Sequence, residues 1–109
     1  MTVKDLMEKC GLNAVALPSP DKEIAGVYVG DLLSWVMGRA EAGNVWITIM
    51  SNVNVMAVAS LADVGCVLLA EGVTLDGEVL AVAEAKGINV LSSDAPIYKT
   101  ALKIGGILS

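Results

Sequence analysis

The alternation of apolar runs with short polar breaks is the strongest signal in the chain, and it is densest from Val45 to Leu61. Val45 to Met50 is short, apolar and β-branched, as expected of a strand covered on both faces. Ser51, Asn52 and Asn54 follow with side chains suited to cap a new helix. That helix carries no charge until Asp63, and its apolar positions, including Val55 and Val58, point all round the axis, which predicts burial on more than one side. Gly65 ends the connection and Cys66 to Ala70 is a second buried strand. Asp76 caps a helix that buries Val79, Leu80 and Ala83, exposes Glu78, Glu84 and Lys86, and stops at Gly87. Ile88 to Leu91 is a third buried strand. Ser92, Ser93 and Asp94 cap a last helix, with Pro96 in its first turn and Gly105-Gly106 at its end.

Strand, helix, strand, helix, strand, helix implies parallel strands joined by right-handed crossovers, so the chain is expected to be α/β, three-layered and Rossmann-like, with a mostly parallel sheet. The first half is less regular. Thr2 and Asp5 resemble a capping box that opens a short helix burying Val3, Leu6 and Met7 and ending at Gly11. Asn13 to Leu17 reads as a strand stopped by Pro18 and Pro20. Ile24 to Val29 is extended, with Gly26 as a bulge or a close backbone approach. Gly30-Asp31 is expected to cap a helix from Leu32 to about Ala40, with Leu33, Val36, Met37 and Ala40 on its core face and Leu32, Trp35 and Arg39 on another. Trp35 is either the margin of that core face or an anchor for a second subunit.

Composition changes the picture in one respect. Of 109 residues, 55% are hydrophobic and 17% charged. One domain spanning residues 1–109 is expected, apolar enough for some of its surface to meet another chain, a dimer first of all. The net charge of −5 comes from scattered acids, which favours neither nucleic acid nor an anionic membrane as a partner. No run reaches the roughly 20 apolar residues of a membrane span, and the amino terminus lacks the apolar core of a secretion signal, so a cytoplasmic location is expected.

Candidate chemistry is sparse. The chain has no histidine, and Cys10 and Cys66 form no CxxC pair, so a metal site and the usual acid–base group are both missing and buried free thiols are expected. Gly65, Gly72 and Gly77 do not make a dinucleotide fingerprint, and no Walker-type loop is present, so no cofactor is assigned. Asp31, Asp63, Glu71 and Asp94 would support carboxylate-pair catalysis only if the fold made two of them neighbours. A non-enzyme is the expectation. In open parallel sheets ligands gather beyond the carboxyl ends of the strands. The candidate ligand-binding residues are therefore Ser51, Asn52, Asn54, Glu71, Gly72, Ser92 and Ser93, with Asp31 as a further wall. For each of them an ordinary helix cap is the competing role.

The order of motifs resembles a stand-alone DRTGG-domain protein. The resemblance is carried by Gly26 to Ser34 (GVYVGDLLS), Val45 to Thr48 (VWIT), Asn54 to Leu61, Val67 to Gly72 (VLLAEG) and Gly87 to Ser92 (GINVLS). It extends to the N-terminal domain of HPr kinase/phosphorylase and to the regulatory segment of long phosphotransacetylases, and such domains also occur beside CBS domains. It implies a regulatory module that self-associates and either senses a small polar, anionic or nucleotide-like effector or modulates a partner enzyme or signalling protein. It carries no kinase activity. The chain departs from the family's signature: its Asp-Arg falls near Ser51-Asn52-Val53 and its Thr-Gly-Gly at Ala70-Glu71-Gly72, where Gly72 alone is kept. The lost arginine removes a bidentate anion fork. The rival expectation is a structural adaptor that assembles through Trp35, Val55 and Val58 without a small ligand.

Overall fold

The computed structural model describes residues 1–108. Its elements run α1 (Val3–Cys10), β1 (Asn13–Ala16), β2 (Val27–Val29), α2 (Leu33–Arg39), β3 (Val45–Thr48), α3 (Val53–Ala62), β4 (Cys66–Leu69), α4 (Gly77–Lys86), β5 (Val90–Ser92) and α5 (Ile97–Leu108). The five strands form one sheet in the order β1-β5-β4-β3-β2, parallel throughout except for β1, which runs antiparallel to β5. The α/β, mostly parallel architecture is as the sequence implies. The two irregular strands of the first half extend the sheet, one at each edge.

Every residue of β3 and β4 is buried, which is why both read as unbroken apolar runs. Alternate residues feed two cores. Trp46, Val67, Leu69 and Val90 pack with Val36, Val55, Met56, Val58, Val79 and Ala83 beneath α2, α3 and α4. Val45, Ile47, Cys66, Leu68 and Leu91 pack with Val3, Leu6, Cys10 and Ile104 beneath α1 and α5.

Local details follow the sequence in part. Thr2 and Asp5 form the full capping box, and α1 ends at Gly11 in the left-handed conformation. Elsewhere long-range contacts override local ones. Asp31 does not cap α2, whose N-cap is Leu32 with no side-chain bond. Met37 is exposed rather than part of the core face, because Val36 is the residue of α2 that reaches the sheet. Gly26, with a positive φ of 82°, makes no bulge in the β2–β3 ladder but does mark a close approach, since a Cβ there would lie 3.1 Å from Asn44 Nδ2. Gly105-Gly106 does not stop α5, which continues to Leu108. Trp35 projects into solvent with the Arg39 guanidinium 3.8 Å above its ring, not into the core.

Val55 and Val58 are 0% and 5% exposed within this one chain. Their side chains are spent on the chain's own core and offer no area to a second protomer, so the assembly surface expected there is corrected. The exposed large apolar residues of α3 are Val53 and Leu61. No helix among the described residues is long and apolar enough to cross a membrane.

Candidate functional site

The expected strand-end residues fall into three separate groups rather than one pocket. The first joins β2 and β3. The buried Thr48 hydroxyl donates to Asp31 Oδ1 at 2.6 Å, and the same oxygen accepts the Ile49 N–H at 3.2 Å. Trp46 Nε1–H donates to the Gly30 carbonyl at 2.9 Å. Asp31 therefore ties two strand ends together through one carboxylate oxygen.

The second group closes the ends of β4 and β5 against α5. Glu71 and Gly72 are consecutive left-handed residues, with φ of 63° and 71°. The turn points the Glu71 N–H at the Ala95 carbonyl and the Gly72 N–H at the Ser93 carbonyl, at 2.9 and 3.0 Å. The Glu71 carboxylate then accepts the Ile97 N–H at 2.7 Å, which caps α5 from a distant segment. Ser93 Oγ accepts the Ala95 N–H at 3.2 Å and the Thr100 hydroxyl at 3.2 Å. A carboxylate at the start of a helix also meets the positive end of its dipole. Ser92 lies in the ladder opposite Leu69 and Asn13. Glu71, Gly72 and Ser93 stitch a turn shut.

The third group is open. Between the first turns of α3 and α4 lies a cleft of about 430 Å³, with Ser51, Asn52, Asp76 and Glu78 as its polar lining and Val53, Val79 and Val82 as its apolar lining. The parallel order places it: β3 and β4 are neighbours, so the helices that follow them begin side by side. Asn52 Oδ1 accepts the Asn54 N–H at 3.0 Å, the ordinary N-cap bond, while Asn54 contributes its main chain there. Asp76 is the N-cap of α4 by position yet makes no capping bond with its side chain. Of the expected ligand residues the cleft thus holds Ser51 and Asn52. It adds Asp76, Glu78 and the three valines, which the sequence presents as a cap, a solvated acid and apolar helix positions. The signal that would have found them is the adjacency of two consecutive βα units.

The cleft's electrostatics are defined by what lines it. Two acidic residues line it and, among the described residues, no lysine or arginine does. The two helix N-termini offer about half a positive charge each, so the carboxylates outweigh them and a bare anion is disfavoured. The thiols lie elsewhere. Burial in the middle of the sheet pushes Cys66 up to about 12. Burial also raises Cys10, with Lys103 opposing. Thiols held neutral in this way are poor nucleophiles.

The model of the DRTGG domain family matches residues 19–107, and the chain belongs to that family. Among solved structures, the CBS and DRTGG domains of the regulatory region of Clostridium perfringens pyrophosphatase, complexed with the activator diadenosine tetraphosphate, superpose with a TM-score of 0.73 at 15% identity. That alignment covers 94% of this chain and 45% of the pyrophosphatase chain, and it shows a shared fold. No curated protein matches the chain.

Proposed function

We propose that this domain is a regulatory module without chemistry of its own, which self-associates, takes a small hydroxylated effector in the α3–α4 cleft, and passes the bound state to a partner enzyme. The observation that carries the reading is the cleft: it gathers Ser51, Asp76 and Glu78, polar side chains not committed to closing a turn, around one open volume. Its volume lies in the range of small-ligand sites, roughly 300–1,000 Å³. Membership of the DRTGG family and the regulatory region found in the pyrophosphatase neighbour support a regulatory role over a catalytic one.

The lining selects the chemical class. Asp76 and Glu78 accept hydrogen bonds when ionised, so they suit hydroxyl donors such as a pair of sugar hydroxyls. Val53, Val79 and Val82 suit a flat apolar ring. A nucleoside joins those two features, and any phosphate it carries would extend into solvent, away from the carboxylates. The small polar or anionic effector expected from the sequence is thereby narrowed to a ligand whose buried part is neutral.

Thermal unfolding of the purified chain with adenosine, ribose, ATP and acetyl phosphate tests this, because a ligand that binds only the folded state raises its stability by mass action. A saturable rise with adenosine is expected, with none from acetyl phosphate. Asp76→Asn should weaken it roughly tenfold or more, the loss of one charge-assisted hydrogen bond. Absence of any rise, or one indifferent to both Asp76→Asn and Glu78→Gln, would contradict the reading.

A further inference from the structure

We infer that the chain pairs with a second copy of itself by joining two β2 strands antiparallel across the open edge of the sheet, with the neighbouring flank of α5 packing on its copy. The inference rests on the self-association in the reading above and gives it a surface in place of α3.

The backbone pattern comes first. Val45 N–H donates to the Gly26 carbonyl and Gly30 N–H to the Ile47 carbonyl. In a parallel ladder this alternation commits the even-numbered residues of β2 to β3 and turns the N–H and C=O groups of Val27 and Val29 outward. Among the described residues no strand lies beyond β2. A two-fold axis at Tyr28 would set Val27 opposite Val29 of the copy and Val29 opposite Val27. All four outward N–H groups then find carbonyls. Such a contact is isologous and closes after two copies.

The side chains agree. Natural edges are blunted by charge, proline or a bulge, and Gly26 to Gly30 has none of these. Val27 and Val29 alternate with Tyr28 and so lie on the α5 side. Helical spacing sets Tyr98, Leu102 and Gly105 on one exposed stripe of α5 and Lys99 and Lys103 on another. α5 touches both α1 and β2, and in the inferred dimer the stripe of Tyr98, Leu102 and Gly105 is the one turned towards β2. Val27, Val29, Tyr98 and Leu102 are 36%, 46%, 72% and 62% exposed. Together they expose roughly 400 Å² of mostly apolar residues, about half of the ~800 Å² that each partner buries in a standard interface.

The spacing is consistent as well. α5 packs over β2 and β3, so across the joined edges it would lie about two strand spacings, ~10 Å, from its copy, the separation of packed helices. At Gly105 a Cβ would meet nothing within 4 Å, so the helices have room to close further.

Light scattering of the full chain from about 1 to 100 μM, with hydrogen exchange at the same concentrations, is the test. The wild type should be dimeric, with Val27 and Val29 amides increasingly protected as concentration rises. Val29→Lys and Leu102→Glu, both at exposed positions, should each raise the dissociation constant at least tenfold and leave the circular dichroism unchanged. A monomeric wild type would overturn the inference. So would a dimer that survives both variants, or one in which those two amides exchange at the monomer rate. None of these outcomes touches the ligand response, so failure here is distinguishable from failure of the cleft.

Discussion

At one edge of the sheet β1 meets β5 antiparallel, its register shifts between Ala14 and Ala16, and the chain leaves through Pro18 and Pro20. The buried Asn89 holds that exit: its Oδ1 accepts the Ser19 N–H at 2.9 Å, and its Nδ2 donates to the carbonyls of Ser19 and Gly65 at 2.7 and 3.1 Å. At the other edge β2 runs parallel and unbroken, between two glycines, with the main-chain groups of its valines facing out. The difference teaches that an edge is closed by specific local devices. Where they are missing, the main chain itself remains available for pairing.

The sharpest way to break this contrast is Asn89→Ala. Removing the amide leaves the Ser19 N–H and two carbonyls without their partner in a poorly hydrated site, at a cost of about 3 kcal/mol. For a domain of this size that lowers Tm by roughly 10–20 °C, measurable by calorimetry, and amide exchange should rise first around β1. An unchanged Tm would mean that the bulge and prolines close the edge unaided.

The centre of the sheet, remote from both edges, supplies a pH-dependent reference. Burial raises Cys66 from 9.0 to about 12. The folded state therefore favours the neutral thiol, and this contribution is complete below about pH 9. As pH rises further the unfolded chain loses the proton while the folded one keeps it, so stability should fall by about 1.4 kcal/mol per pH unit until about pH 12. Denaturant titration of the wild type against Cys66→Ala isolates that slope, which the variant should lack.

The smallest expected effect is the most discriminating. Ala14 is exposed on the blunted edge. Ala14→Lys should change stability by less than about 0.5 kcal/mol and leave the dimer intact, in contrast to Val29→Lys. Equal responses at the two edges would remove the distinction between them.

Much of the fold was legible because its signals are local or compositional. β3, β4 and β5 are buried on both faces and read as apolar runs, and Thr2 with Asp5 forms a complete cap within four residues. What escaped depends on long-range geometry. Asp31 sits where a cap belongs, yet Thr48 lies opposite and takes it. Glu71 caps a helix that begins at Ile97, a link that helix periodicity does not encode. Val55 and Val58 were rightly read as needing cover, but their cover is the chain's own core. The cleft was half visible, because Ser51 and Asn52 announce a helix start while Asp76 and Glu78 resemble any solvated first turn until the strand order sets α3 beside α4.

The central claim is that the α3–α4 cleft receives the hydroxylated part of a small effector. Amide chemical shifts of isotopically labelled protein titrated with adenosine test it most directly. The account predicts saturable shifts concentrated at residues 51–54 and 76–82, abolished in an Asp76→Asn, Glu78→Gln double variant. Shifts that gather instead at Glu71, Gly72 and Ser93, or none at any concentration, would contradict it.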